Sequence, residues 1–249
     1  MRRYIAGEFK RAIFSAPLVI ALAVATIAGL SQMLPALQNA DPATGAYYPF
    51  ARFHLSVLSL LAPLLATLPF SQSYAAERNS GFSKSVLQRL PERNYAISKL
   101  LVTALSGGLS LAIPLGGVLA WSLLRYPLVA DAYNPPPQLF GHITAGSQLE
   151  YMLLALVLAF LFGATFAVVG LASSVLFRNP FYAHVVPVIL YVVPAFVTGS
   201  LGLGYLDPPM MWDPSGNIGT TPFTVAAQYA FFLGVSVLVF VRFLRLREE

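Results

Sequence analysis

The chain alternates long apolar stretches with short segments that hold most of its charges, prolines and glycines. Six apolar runs stand out, near residues 14–37, 55–74, 97–124, 149–177, 181–203 and 223–240. Each is long enough to cross a hydrocarbon core of about 30 Å, which takes about 20 helical residues. The pattern predicts an all-α, polytopic membrane protein with six transmembrane helices in a single domain over residues 1–249. The first run is too long for a secretion signal and lacks a clean small-residue cleavage pattern. Ahead of it, in residues 1–13, Ile5, Phe9 and Ile13 recur every four positions, while Lys10 and Arg11 lie elsewhere. That spacing predicts a short basic amphipathic helix at the membrane surface. The fifth run is less regular, with Pro187 and Pro194 inside it and Gly199, Gly202 and Gly204 beyond. Residues 195–221 are therefore a candidate re-entrant segment, which needs cover from protein or a wet cavity.

Composition agrees with this pattern. Hydrophobic residues make up 57% of the 249 and charged residues 10%, against about 25% charged in soluble domains. Spans of this number leave no room for a soluble catalytic domain. The absence of cysteine excludes a disulfide scaffold, a thiolate zinc site and a cysteine nucleophile. The net charge of +5 gains meaning from placement. With the N-terminus in the cytoplasm, thirteen of the 15 Lys and Arg fall inside, and only Arg52 and Arg125 fall outside. This bias places both termini in the cytoplasm. The ten acids split evenly, as expected for residues that contribute little to orientation. The basic excess is thus an orientation and docking signal, and nucleic acid is not an expected partner. Residues 38–51 and 125–148 read as outer loops, the second stiffened by Pro135, Pro136 and Pro137. Trp121, Tyr126 and Tyr151 suit an aromatic belt at that boundary.

Small residues mark the faces where helices approach closely, since lipid supplies no hydrophobic drive between them. The third run has Ala104, Gly108, Ala112, Gly116 and Ala120; the fourth has Ala155, Ala159, Gly163 and Ala167; the first has Ala21, Ala25 and Gly29. Packing within the chain or against a second subunit both fit these stripes.

Chemistry is sparse. The span centres hold no Asp, Glu, Lys or Arg, so the buried proton sites of a coupled pump are missing. Ser173 and Ser174 lack a histidine base in the neighbouring last run. His54, His142 and His184 are scattered without metal-ligand spacing. Residues 81–85 lack the glycine spacing of a nucleotide-binding loop. The chain reads as non-catalytic by itself, with no cofactor of its own, so a transport role requires energy from a partner.

The segment that carries a signal is residues 75–96, between the second and third runs. Phe82, Val86 and Leu90 share a helical face, and Pro91 ends the pattern. From Pro69 to Gly117 the chain holds Glu77-Arg78-Asn79-Ser80-Gly81-Phe82, Leu87-Gln88-Arg89-Leu90-Pro91-Glu92-Arg93, Tyr95, Lys99 and Ser106-Gly107-Gly108. This stretch resembles the membrane (permease) subunit of the type-2 ABC transporter family. The resemblance covers the architecture of the whole chain and about fifty residues locally.

The resemblance implies that residues 75–96 form a coupling helix docked into a groove of a separate ATP-binding subunit. Glu77, Arg78, Gly81, Phe82, Lys84, Arg89 and Arg93 become its contact residues, with Arg178 and Asn179 as a second inner contact. It further implies two ATP-binding subunits, which hold ATP and Mg, and a second permease subunit, identical or different. The setting is the plasma membrane, specifically a bacterial inner membrane, with lipid around the spans. The implied activity is ATP-driven export along a path lined by the first, second and fifth spans. Uncharged span centres favour a hydrophobic or amphipathic cargo, such as a peptide, drug or lipid. Two alternatives remain open: a non-transporting membrane anchor or sensor component, and an ion-coupled secondary transporter. A neighbouring reading frame for an ATPase, or its co-purification, separates the first reading from both.

Overall fold

The structure, a computed structural model, describes residues 2–38, 45–128, 147–213 and 219–248. Among these residues all regular structure is helical: α1 (Arg2–Ile13), α2 (Ala16–Gln38), α3 (Tyr47–His54), α4 (Leu58–Thr67), α5 (Ser73–Asn79), α6 (Phe82–Leu87), α7 (Glu92–Arg125), α8 (Gln148–Leu176), α9 (Tyr182–Ser200), a 3-10 turn (Gly204–Leu206), α10 (Pro209–Trp212) and α11 (Pro222–Glu248). Among the described residues five helices, α2, α7, α8, α9 and most of α11, are long and apolar enough to cross a membrane. The pair α3 and α4, bent by 62°, is a sixth if it counts as one span. These lengths mark a multi-pass membrane protein.

The second span departs from the continuous helix expected over 55–74. Residues 47–54, read from sequence as mostly loop, form α3, because Phe50 and Phe53 are fully buried and anchor it. The ring of Phe53 fills the space that a Cβ on Gly29 would need, so α3 lies directly on α2. The chain then bends at residues 55–57, where the Ser56 hydroxyl accepts from the Leu58 amide at 3.1 Å at the start of α4. A second break follows α4 at residues 68–72, where Pro69 has no amide hydrogen to continue the helical ladder. Helix α7, in contrast, runs for 34 residues. At 1.5 Å per residue it is about 50 Å long and outreaches a bilayer core.

Helix α8 is the centre of the bundle, packed against α7, α11, α9 and α4. Its face of Ala155, Ala159, Gly163 and Ala167 is buried, as are Ala21, Ala25 and Gly29 on α2. A Cβ on Gly163 would fall on the Gly107 carbonyl, and one on Gly107 would fall on Ala167. On α7 the seam is displaced from the stripe expected there. Gly108 is buried, but Ala104, Ala112 and Gly116 are half-buried and Ala120 is exposed. The closest approach runs instead through Gly107, beside the fully buried Thr103, Ser106 and Ser110. The hydroxyls of Ser106 and Ser110 return to the helix carbonyls of Thr103 and Gly107, so they cross the seam without an unmet bond.

At the other end of the bundle, residues 195–213 finish α9, turn at Gly202 (φ +71°) and form α10. Met211 and Trp212 of α10 are buried in the bundle. Trp212 Nε1 donates to the His54 carbonyl at 3.1 Å, its ring stacks on His54, and Phe162 meets it edge-on. The Tyr229 hydroxyl donates to the Met211 carbonyl at 2.7 Å. Protein therefore covers Met211 and Trp212, whereas residues 214–218 of the candidate re-entrant segment lie outside the described residues. The expected outer-loop features Pro135–Pro137 and His142 lie outside the described residues.

Candidate functional site

Most of the residues singled out by sequence gather at one end of the bundle, where α1, α5, α6 and the start of α7 meet. Its organising element is a buried ionic cluster. Lys99 is 0% exposed, and its Nζ donates to Glu8 Oε2 at 2.5 Å and to Glu77 Oε1 at 2.6 Å. Arg11 Nη1 donates to the same Glu77 oxygen at 2.7 Å and approaches Glu8 Oε1 at 3.3 Å. Tyr95 donates to Glu77 Oε2 at 2.8 Å. Two carboxylates thus face two cations, with balanced formal charge and both Glu77 oxygens occupied. Phe70, from the break after α4, presents its ring to both cations, 4.9 Å from Lys99 and 5.8 Å from Arg11.

The five partners come from three elements: Glu8 and Arg11 from α1, Glu77 from α5, Tyr95 and Lys99 from α7. Burying such charges is unfavourable unless they are paired and hydrogen-bonded, and these are. The surroundings respond accordingly. Burial holds the Tyr4 phenol well above its ordinary range, and the charges of Glu8 and Glu77 add to the effect. For Arg11 burial works against the charge, but the hydrogen bond and charge of Glu77 outweigh it and raise its pKa.

This geometry corrects two expectations. Glu77 is buried in the cluster, so its carboxylate holds the loop in place and is not offered as a contact surface. On α1 the face against the protein is Ile5, Glu8 and Ala12, and Ile5 packs on Ala12, Phe70 and Val102. Ile13 is half-buried, whereas Phe9 and Lys10 are exposed. The apolar stripe Ile5, Phe9, Ile13 is therefore shared between protein and surroundings.

The remaining loop residues stand at the surface. Gly81 adopts φ +74°, a left-handed turn that favours glycine, and so ends α5 and starts α6. The turn presents Phe82, which is 48% exposed. Lys84, Arg89 and Arg93 are exposed and Arg78 is half-buried. Val86 and Leu90 are half-buried against a small core with Tyr74, Tyr95 and Phe240, and together with Phe82 they line a cleft at the surface. The two contact regions also meet: Asn79 Nδ2 donates to the Arg178 carbonyl at 3.1 Å. Asn179 Oδ1 accepts from the Phe181 amide and shapes the entry to α9, and both Arg178 and Asn179 are exposed. Deeper along α4, the Thr67 hydroxyl lies 3.0 Å from His184 Nδ1.

Sequence reading gave no site role to Glu8, Tyr95 or Lys99, which the fold brings into the cluster. Two of them carried a signal: Glu8 is a lone acid in a basic helix, and Lys99 is followed directly by an apolar run.

No family model matches the chain, and no curated protein matches it either.

Proposed function

We propose that this chain is the permease subunit of an ATP-driven exporter of the type-2 ABC class, with no catalytic activity of its own. The observation that supports this best is the mounting of the Gly81–Phe82 turn. An exposed aromatic projects from a loop whose base is fixed by ion pairs to α1 and α7. A soluble partner that grips Phe82 and moves thereby moves α5, α1 and the start of the long helix α7 together. The partner in this proposal is an ATP-binding subunit in two copies, holding ATP and Mg. A second permease subunit, identical or different, completes the assembly in a bacterial inner membrane. Both termini and the Phe82 turn face the cytoplasm, in keeping with the charge bias.

In operation, closure of the ATP-binding subunits around ATP pushes on Phe82. The ionic cluster passes this displacement to α1 and α7, and the bundle alternates its access. Uncharged span centres suit a hydrophobic or amphipathic cargo. The test is ATP hydrolysis by the reconstituted complex with candidate cargoes. Stimulation by lipids, hydrophobic peptides or apolar drugs is expected; stimulation by polar sugars alone refutes the cargo class.

A further inference from the structure

The surface around Phe82 specifies the chemistry of what docks there. Its ring is a ridge between two clefts. One, of about 600 Å³, has mixed walls that include Arg11, Ala76, Glu77, Ser80 and Ser85. The other, of about 540 Å³, is walled by Tyr4, Val86 and Leu90, with Arg89 at its edge. Lys84, Arg93 and Arg178 add exposed positive charge nearby. Among the described residues, the acids Glu8, Glu77 and Glu92 of this region are already engaged. Glu8 and Glu77 are committed to Lys99 and Arg11, and Glu92 lies 3.5 Å from Arg245.

We infer that the docking partner is a protein surface that sets an apolar side chain into the cleft of Tyr4, Val86 and Leu90 and a carboxylate against Arg89. The apolar walls need an apolar occupant to exclude water, and the rim cations, which have no acidic partner among the described residues, need anions. The relief of the site favours protein over an anionic lipid surface. A ridge with a cleft on each side interlocks with another shaped surface, and a fluid headgroup layer offers no such complement. The inference rests on the permease proposal only for the partner's identity, not for its chemistry.

The experiment is site-specific photo-cross-linking of the full-length chain in its native membrane. p-Benzoylphenylalanine replaces Phe82, or in a second variant the exposed Ser85, which borders both clefts. The cross-linked peptide is then sequenced by mass spectrometry. An adduct on an apolar side chain with Asp or Glu within a few residues is expected from at least one position. Charge reversal by Arg89→Glu should lower its yield by about fivefold, and Arg89→Lys should restore it. An adduct to phospholipid, a peptide without acidic residues, or no protein adduct from either position overturns the inference. The two proposals fail separately. An acidic, apolar peptide from a protein without an ATP site leaves the docking chemistry standing and removes the permease assignment. A peptide from an ATPase but lacking acids does the reverse.

Discussion

Replacing Lys99 with methionine tests the ionic cluster most severely. The ammonium is fully buried and lies within 2.6 Å of both Glu8 and Glu77. Its loss leaves two buried carboxylates with Arg11 as their remaining cation, and the Arg11 side chain is 48% exposed. Removing one partner of a buried ion pair costs about 3–5 kcal/mol, because the opposite charge stays buried and uncompensated. Methionine conserves most of the aliphatic volume, so packing loss adds little. For a chain of this size that corresponds to a fall of roughly 6–20 °C in melting temperature, at about 2–4 °C per kcal/mol. The assay is thermal unfolding of the purified chain in detergent, followed by helical circular dichroism. Arg11→Met is the control: its partly solvated ion pairs are worth about 1 kcal/mol, so its shift should be several-fold smaller. A double-mutant cycle of Lys99→Met with Glu8→Gln should return a coupling above about 1.5 kcal/mol. If Lys99→Met melts within about 1 °C of the unaltered chain, or if Arg11→Met costs as much, the cluster does not hold this end together.

Three further outcomes follow from the packing and the turn. Gly163→Ala forces a Cβ onto the Gly107 carbonyl and should cost about 1–3 kcal/mol, whereas Gly116→Ala, whose Cβ meets nothing nearer than 3.7 Å, should be neutral or slightly stabilising; thermal unfolding of the two variants separates them. Gly81→Ala has space but places an L-residue at φ +74°, so it should lose about 1–2 kcal/mol, with Gly81→Asn retaining more stability, as read in the same assay. Because the chain has no cysteine, Ser85→Cys and Leu206→Cys report orientation without background. An impermeant maleimide added to intact cells should label Leu206→Cys and spare Ser85→Cys, and the reverse pattern would invert the proposed topology.

The long helices were legible in the sequence because an apolar run of 20 or more residues has few other solutions. The α8 face of Ala155, Ala159, Gly163 and Ala167 was legible as a small-residue stripe for a similar reason. The α7 seam was not, since Ala104, Gly108 and Gly107 are equally small and only the approach of α8 selects among them. The break between α3 and α4 falls at the start of the apolar run 55–74, and residues 38–51 read as an outer loop. Burial of Phe50 and Phe53 decides otherwise, and that depends on the Gly29 gap in a different helix. Among the site residues, Gly81 suits its left-handed turn by residue type, since glycine takes φ > 0 without a Cβ penalty. The ionic cluster was not legible, because Lys99 finds Glu77 22 residues away and Glu8 91 residues away. Sequence counts such a lysine as one more surface cation, whereas the fold withdraws it and Glu77 from the surface together.

The most direct test of the central proposal is to purify the tagged chain from its native membrane and identify what accompanies it, with Phe82→Glu alongside. Phe82 is half-exposed, so the substitution should leave the thermal unfolding of the chain unchanged. The expected result is an ATP-binding subunit in equal copies with active hydrolysis, and loss of both by about tenfold in Phe82→Glu. Recovery of the unaltered chain without any ATP-binding protein contradicts the proposal, as does a Phe82→Glu complex that assembles and hydrolyses ATP normally.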